Sequence, residues 1–317
     1  KRSKRVQAAE GTHALGGWDY ETKRIGVITE VFQAFIDVLS AQRRVALAED
    51  MVRHARHVME IVSNRVEAGK VSPVENSKTG VAHSLARIEV ERARLELEAV
   101  RIRLAGAWGS TKPLFKSAEG DIETISPIPS FARLTMFLSQ NPELARWSAE
   151  VSQRQAMIAL PEAKAIPDIT LSGGYLTGGT ASNVPAFAAG VSIPLPIFDR
   201  NQGRILEAHH RLAKGEEEKK AAETRVNNLL SHAYQMLSTA YAEATALKSN
   251  IVPRTQSTFD AINEGYRLGK FALLDVLDAQ STLFDTRIRY LRAITAYHKA
   301  VADIEQLIGE RLDSVKE

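Results

Sequence analysis

The stretch from Ile169 to Phe198 constrains this chain more than any other feature, because its 30 residues carry no charge in a protein that is 25% charged. It holds too many glycines and prolines for a membrane-spanning helix. Apolar residues such as Leu171 and Tyr175 alternate with small or polar ones, and the alternation returns from Phe187 onward, after a tip rich in Gly, Thr, Ser and Asn. This pattern predicts two antiparallel strands with one apolar face, as in a transmembrane β-hairpin. A half-buried hairpin of a soluble protein alternates in the same way, so the stretch alone leaves both interpretations open.

Composition excludes several classes of protein. The chain has 317 residues, a net charge of +3 and no Cys, and its acidic and basic residues are finely interspersed. Nucleic-acid binding, disulfides and thiolate chemistry are therefore not predicted. No phosphate loop or nucleophile motif is present, so we predict a protein that is not an enzyme, with no catalytic residue, no cofactor and no metal site. His54 and His57 share a helix face, but two ligands without a third make a poor metal site, and we interpret them as part of a polar stripe.

Long helical patterns lie on both sides of the uncharged stretch. In the first, apolar residues recur every three or four positions up to Val62, and Ala68-Gly69-Lys70 followed by Ser72-Pro73 predicts the end of one helix and the start of the next. The second helix ends near Gly109 and carries a heptad-like apolar seam. The seam consists of Val81, Leu85, Ile88, Leu95, Ala99 and Ile102.

The second helical pattern repeats the first at an offset of 200 residues. Gly69-Lys70 corresponds to Gly269-Lys270, and Gly109 corresponds to Gly309. Pro253 is expected to interrupt and bend the helix that ends at Gly269. Two helical hairpins of equal size are therefore predicted. The uncharged strands precede only the second copy, so we expect this chain to be truncated at its N-terminus, with a strand pair and a signal sequence upstream.

The sequence thus divides into five predicted segments. These are a first helical hairpin at 1–109, a connector with a short helix at 110–141, a helix at 142–166, the β-hairpin at 167–199 and a second helical hairpin at 200–317. Three prolines, Pro167, Pro194 and Pro196, stand where strand must change into helix and are predicted to be strand–helix linkers.

The predicted helices argue for an assembly of several chains. A continuous helix from Gly203 to Leu268 would be roughly 100 Å long at about 1.5 Å per residue, and its apolar stripe needs other helices along its whole length. Open sheet edges are not tolerated in lipid, so a few strands per chain close a barrel only when several chains pool them. We expect a ring of strands that continues into a ring of helices. With its one strand pair, this chain by itself is not expected to form a normal pore.

Five runs of residues carry a resemblance to a known family. They are Asn141–Leu144, Ile166–Leu171, Val191–Gly203, Tyr266–Lys270 and Asp275–Gln280. On these motifs the chain resembles the TolC-type outer-membrane efflux family over its whole length, and above all its heavy-metal branch, the CzcC-like proteins. The fold class that this implies is mainly α with a small β part. Long coiled-coil helical hairpins form a periplasmic α-barrel, and the transmembrane β-hairpin contributes to a trimeric β-barrel.

The resemblance also implies location and partners. It implies a homotrimer in the lipid of the outer membrane that extends into the periplasm, with 110–141 as an equatorial connector and no nucleic-acid partner. The trimer would dock on a periplasmic membrane-fusion adaptor and an inner-membrane resistance-nodulation-division pump and export heavy-metal cations. Two alternatives stay open at this point. One is a soluble periplasmic coiled-coil scaffold or adaptor, and the other is a duct of the same fold that serves drug efflux or type I secretion.

Carried over by motif, the residues of a periplasmic gate are Tyr266, Asp275, Asp278 and Glu75. Asp275 and Asp278 share a helix face and would form carboxylate rings in a trimer; equally, they suit the first turn of any helix. Phe271 stands where the family has an arginine, which leaves Arg267 or Lys270 to replace a gate salt bridge. The turns expected to touch the adaptor consist of Gly69, Lys70, Val71, Ser72 and Pro73 in the first copy and Gly269, Lys270, Phe271, Ala272 and Leu273 in the second.

Overall fold

Seven α-helices and two strands make up most of the chain in the computed structural model, which describes residues 1–176 and 186–315. The elements follow the order in which the sequence predicts them. Their bounds are α1 Arg2–Glu67, α2 Pro73–Gly106, α3 Phe131–Phe137, α4 Pro142–Ala165, β1 Thr170–Leu176, β2 Ala186–Ser192, α5 Gln202–Ala246, α6 Val252–Arg267 and α7 Leu273–Ile308. Short 3₁₀ turns follow α3 at Leu138–Gln140 and α7 at Leu312–Val315.

The predicted interruption at Pro253 is confirmed, and it takes the form of a π-helical turn. The turn covers Leu247–Ile251 and joins α5 to α6, which begins at Val252. Because Pro253 lacks a backbone N–H, the preceding turn cannot close with regular α-helical bonds, and the wider π turn accommodates the missing donor. Pro161, by contrast, lies inside α4, which continues through it to Ala165.

The residues divide into two compact units. The first consists of Lys1–Thr22 and Ser139–Val226. Here α4 lies against the beginning of α1, where a Cβ on Gly11 would lie 2.7 Å from the Gln153 side chain, so the glycine permits the close approach. The Gln153 amide also donates to the Thr12 hydroxyl at 2.7 Å. Between α4 and α5, Arg154 forms an ion pair with Glu218 at 2.9 Å.

The second unit consists of Lys23–Leu138 and Asn227–Glu317. Within it α1 packs against α2 through small and β-branched residues, among them Val38, Ala41 and Val100. Farther toward the helix turns, α1 meets α6 and α7 around Val62 and Phe259. Small residues let helices approach closely, which explains the many alanines on these faces.

The apolar seam predicted on α2 is not buried within the chain. Leu85 and Leu95 are 57% and 72% exposed, and Val81, Ile88 and Ile102 are exposed as well. The residues that α2 buries lie on its other face, with Ala86, Val90 and Leu104 among them. The sequence pattern therefore located an apolar stripe correctly, but this stripe has no partner among the residues that the structure describes.

The connector between α2 and α3 has no regular structure, yet side chains hold it firmly. The Gln42 amide brackets Ala118, with Nε2 donating to its carbonyl oxygen at 2.9 Å and Oε1 accepting from its N–H at 2.7 Å. The Tyr297 hydroxyl does the same at Ser126, where it donates to the carbonyl oxygen at 2.9 Å and accepts from the N–H at 3.1 Å. Backbone groups left without a helix or sheet partner are satisfied in this way.

The two predicted strands pair antiparallel, with Leu171 opposite Val191 and Tyr175 opposite Phe187. Each strand has seven residues. The predicted tip at 177–183 lies outside the described residues.

By length and composition alone, an 18-residue window of α1 passes a test for helices that could cross a membrane. Core helices of soluble proteins pass it too, and Val38 of α1 is fully buried in the second unit.

Candidate functional site

The two helix turns that connect α1 to α2 and α6 to α7 share one backbone structure. Gly69 and Gly269 both have a left-handed φ, of 66° and 80°, where a Cβ is disfavoured. In each turn the glycine N–H donates to a carbonyl three residues back at 2.9 Å, and the following lysine N–H donates to one five residues back. This pair of bonds satisfies the last carbonyls of the helix. The sequence repeat is therefore also a structural repeat, and Gly109 and Gly309 extend it with φ of 78° and 72°.

The following helices are capped differently. Before α2, the Ser72 hydroxyl accepts from the Val74 N–H at 3.3 Å. Before α7 stands Ala272, which has the same extended backbone but no side-chain acceptor, and there the Asp275 carboxylate accepts from the Ala272 N–H at 2.9 Å. Asp275 thus completes half of a capping box.

Tyr266 and Glu75, predicted as gate residues from separate copies of the repeat, are brought together. The Tyr266 hydroxyl donates to a Glu75 carboxylate oxygen at 2.8 Å, and Tyr266 is only 2% exposed. Burial raises the pKa of the Tyr266 phenol to about 12, and the Glu75 carboxylate adds to this rise while Arg65 opposes it. The phenol is therefore neutral and remains a hydrogen-bond donor at neutral pH.

Arg65 belongs to the same cluster, and the sequence analysis missed it. Its guanidinium lies 4.4 Å from the centre of the Tyr266 ring and also donates to the Tyr266 backbone carbonyl. The cation–π contact and the hydrogen bond fix the end of α6 to the end of α1. Of the two residues expected to replace the family arginine, Arg267 instead pairs with Glu264 at 2.7 Å on the surface. Comparing the two copies of the repeat could have drawn attention to Arg65. The equivalent position in the second copy is Gly265, so the two turns differ at this position.

Phe271 covers that glycine. A Cβ on Gly265 would collide with a ring carbon of Phe271, so the aromatic side chain occupies the space that any larger residue would need. Neighbouring apolar side chains on the turns face solvent, including Leu268, Leu274 and Val74. The turns thus carry an exposed apolar rim that consists of these three side chains and Phe271.

Asp278, the remaining predicted gate residue, is exposed, as is Asp275. They lie one helical turn apart on α7, but no contact joins either of them to the Tyr266–Glu75 pair among the interactions that the structure describes. Their gate role remains a prediction.

The three predicted linker prolines lie between strand and helix. Pro167 follows the extended residue Ile166 at the end of α4, and Pro194 and Pro196 lie between β2 and α5. At this joint the Asn201 amide donates to the Pro161 carbonyl at 2.8 Å, which ties the start of α5 to α4. On the strands, the apolar face is open: Phe187 is 89% exposed, and its ring lies 5.1 Å from that of Tyr175.

The two histidines considered for a metal site lie in different environments. The His54 ring packs edge-on against Phe259 at 5.3 Å, and burial, followed by the charge of Arg287, lowers its pKa. His57 is exposed. Within residues 1–176 and 186–315, no group of three or more His, Cys, Asp or Glu side chains has an arrangement that could hold a metal ion.

Comparison with known proteins excludes one of the predicted alternatives. The sequence matches the family described as outer membrane efflux protein over residues 1–110 and 134–310. The chain belongs to this family. Efflux family members are outer-membrane proteins, which excludes the soluble scaffold.

Individual relatives agree with the family assignment. The chain is 36% identical to the cobalt-zinc-cadmium resistance protein CzcC of Cupriavidus metallidurans, over 98% of its own length and 74% of that protein. Among solved structures it resembles the outer-membrane channel OprN, with a TM-score of 0.82 at 16% identity over 98% of this chain and 72% of that one. A structure of CusC also gives a TM-score of 0.82, at 18% identity over 97% and 74% of the two chains. These structures share the fold of long helices and few strands.

Proposed function

We propose that this outer-membrane efflux protein is a subunit of an exit duct that releases heavy-metal cations. The observation that carries the choice of cargo is the 36% identity to a cobalt-zinc-cadmium resistance protein along 98% of the chain. The protein performs no chemistry in this role, and the energy comes from an inner-membrane pump.

The duct is a homotrimer. The exposed seam of α2, with Leu85 and Leu95, is an apolar stripe that a neighbouring helix would cover. The open apolar face around Phe187 would likewise face lipid once the strands of several chains close a barrel. In this assembly the segments 1–109 and 200–317 form the periplasmic α-barrel, 110–141 its equatorial connector, 142–166 the helix that leads to the barrel and 167–199 the membrane hairpin.

The helix turns form the periplasmic end of the duct and contact a membrane-fusion adaptor, which connects the duct to a resistance-nodulation-division pump. Their exposed apolar rim, with Phe271 and Leu274, would be covered by such a partner. The contacts of Tyr266 with Arg65 and Glu75 hold α6 against α1 and α2 in the closed state. Opening separates these helices, and the adaptor stabilises the open arrangement.

Fractionation and growth test this function. The gene is deleted from its host, and the strain is grown on cobalt, zinc and cadmium salts, with and without a plasmid copy, while the protein is cross-linked and assigned to a membrane fraction. We expect a trimer in the outer membrane and metal tolerance that depends on the plasmid. A trimer whose loss changes tolerance to organic drugs or secretion of a protein, with metals unaffected, would replace the cargo while leaving the duct.

Asp278 allows a separate test of the gate. Three copies of this exposed carboxylate would form a ring that attracts cations. In channels formed by the full-length gene product in planar bilayers, Asp278→Asn is therefore expected to lower the cation selectivity. Asp285→Asn is the matched control, since it removes another exposed carboxylate from α7, about two helical turns beyond Asp278 and farther from the connection between α6 and α7. Equal selectivity of the Asp278 variant and the wild type would remove Asp278 from the gate.

A further inference from the structure

The two helical hairpins of the repeat contact each other within the second compact unit. The contact joins α1, the first helix of the first hairpin, to α7, the last helix of the second hairpin. Three pairs of polar side chains lie along it. They are Gln33 with Asp303 at 2.6 Å, Asp37 with Lys299 at 2.5 Å and Ser40 with Thr295 at 2.8 Å. One hairpin therefore places its first helix against the last helix of the other.

The repeat assigns an equivalent to each of these residues. Between α2 and α7 the offset is 200 residues, as for Gly109 and Gly309. Between α1 and α5 it is 199 residues, so that Val38 corresponds to Leu237, and both of these side chains are fully buried. The offset changes by one at the π-helical turn Leu247–Ile251, since a π turn holds one residue more than an α-helical turn.

The equivalents of the three polar pairs are exposed. On α5 they are His232, Met236 and Thr239, and on α2 they are Arg103, Ala99 and Leu95. Met236 and Leu95 are 51% and 72% exposed. The corresponding residues of α1, by contrast, are half-buried against α7.

One residue that is identical in both hairpins shows the same difference. Ile288 of α7 lines a groove together with Ser40 of α1 and is 9% exposed, but its equivalent on α2, Ile88, is 55% exposed. The face of α2 that carries Ile88 and Leu95 is therefore equivalent to a buried helix contact, yet no helix covers it in the part of the chain that the structure describes. Covering such a stripe is favourable in proportion to the apolar area that is removed from water.

We propose that a second copy of this chain covers this face with its α5, in the register that the repeat sets. Met236 of one chain then lies against Ala99 of its neighbour, and Thr239 lies against Leu95. Within a chain α2 packs on α1, α1 on α7 and α7 on α5, so the two uncovered faces lie at opposite ends of this order. The contact is therefore head-to-tail, as in a closed ring.

The side chains distinguish this contact from the one inside the chain. The position of the Asp37 ion pair is occupied between chains by the apolar pair of Met236 and Ala99. If α1 of a neighbour covered α2 instead, the Asp37 carboxylate would lie desolvated against Ala99 without a partner. The third pair, His232 and Arg103, adds no attraction, because Arg103 pairs with Asp37 of its own chain at 3.4 Å. The apolar pairs thus select α5, and not α1, as the helix that covers α2.

Disulfide cross-linking tests the register, and it is favoured by the absence of Cys from these 317 residues. The variant Ala99→Cys/Met236→Cys of the full-length gene product is oxidised in membranes and separated on a denaturing gel without reductant. A disulfide forms only when the two Cα atoms come within about 7 Å of each other. We expect a covalent trimer that reductant converts into monomer.

Two further variants serve as controls. Ala99→Cys/Glu243→Cys tests the register, since Glu243 lies on the same face of α5 about 10 Å farther along the helix than Met236. It should give only monomer on the gel. Ser40→Cys/Thr295→Cys tests folding, because it joins the equivalent residues inside one chain, and it should form a disulfide within the monomer.

Exchanging the side chains provides a second test. Met236→Asp should cause a loss of trimer, because it places an unpaired carboxylate in the contact. Adding Ala99→Lys introduces between chains the ion pair that Asp37 and Lys299 form within a chain, and it should restore the trimer. A double variant with no more trimer than Met236→Asp would overturn the pairing of these two residues.

The inference rests on the proposed homotrimer, and the two can fail separately. Amine cross-linking of the unaltered protein reports whether a trimer exists, and a protein that remains monomeric would refute the homotrimer itself. A trimer in which Ala99→Cys/Met236→Cys forms no disulfide, while Ser40→Cys/Thr295→Cys does, would overturn only the register. A covalent dimer without any trimer would indicate a two-fold contact and overturn the head-to-tail arrangement.

Discussion

At the scale of single residues, Tyr266 has the clearest role, because one buried side chain joins both copies of the repeat. Replacing it with Phe removes the donor to Glu75 and keeps the ring beneath Arg65. A hydrogen bond to a charged group contributes about 1.5–3 kcal/mol, so Tyr266→Phe should make the turns open roughly tenfold more often or more. Amide hydrogen exchange of peptides covering the two turns measures this opening.

Tyr290→Phe is the matched control. The Tyr290 hydroxyl is buried and forms no hydrogen bond within the described residues, so its removal costs no such bond. Unchanged exchange in the Tyr266 variant would show that the contact with Glu75 does not hold the turns closed.

The raised pKa of Tyr266 predicts a pH limit for the same contact. Because about 12 lies above the ordinary value of 10, the folded turn favours the neutral phenol. Its stabilising effect is fully present below pH 10 and is lost as the pH rises through 12. In the tyrosinate absorbance titration, the difference between wild type and Tyr266→Phe should show one group that titrates near 12. A difference centred near 10 would contradict the buried contact.

Gly265 lies where the Phe271 ring leaves no room for a larger side chain, which predicts the effect of a substitution at this position. An added Cβ would collide with the Phe271 ring, so Gly265→Ala should destabilise the second turn although alanine favours helices. Adding Phe271→Ala should relieve the collision, and hydrogen exchange of the single and double variants measures the coupling. Gly80→Ala in α2 meets no atom within 4 Å and should be stabilising by about 0.5–1 kcal/mol. Purely additive effects of Gly265→Ala and Phe271→Ala would mean that the ring does not fill this space.

At the scale of elements, the start of α7 is the less completely capped of the two equivalent helix starts. Ala272 has the backbone of a cap, with φ of −84° and ψ of 158°, close to the values of Ser72. Ala272→Ser should add the missing acceptor and complete the capping box with Asp275, which stabilises the first turn of α7 by about 0.5–2 kcal/mol. Slower exchange of the α7 amides would show this gain, and Ser72→Ala should have the opposite effect on α2. Faster exchange in the Ala272 variant would mean that the serine disrupts the bond from Asp275.

The helices and their turns were predictable because their signals are local. A glycine that must adopt a left-handed φ and a proline that lacks an N–H act wherever they stand, so Gly69, Gly269 and Pro253 predicted the breaks directly. Alternation likewise predicted the two strands and which of their residues share a face, although not which residues pair. Arg65 could not be assigned in this way, because its contact with Tyr266 depends on how α1 and α6 meet. The burial of α2 was not predicted either, since the stripe of Leu85 is apolar by pattern but faces away from the chain's own core.

At the scale of the whole molecule, the stripe on α2 and the open face of the strands pose one problem. A single chain leaves both apolar surfaces in contact with water, which costs free energy in proportion to their area. An assembly that places other chains against the stripe and lipid against the strands removes both costs at once. The removal of apolar surface from water therefore favours both the helical part and the membrane-embedded part of the proposed trimer.

The strand pair provides the test of this account, because neighbouring residues point to opposite faces. Phe187 is on the apolar face, and Ala188 is on the small and polar face opposite Gly174. An arginine on the lipid side of a β-barrel costs about 2–4 kcal/mol near the membrane centre, whereas a lumen position tolerates it. Ala189 shares the apolar face with Phe187 and is the middle residue of β2. Ala189→Arg should therefore reduce the amount of trimer in the outer membrane sharply, and Ala188→Arg at almost the same depth should leave it near the wild-type amount. Quantitative immunoblotting of cross-linked outer membranes measures both. Equal loss in the two variants would indicate a strand pair packed against protein on both faces, and equal tolerance would indicate a hairpin that never enters the lipid.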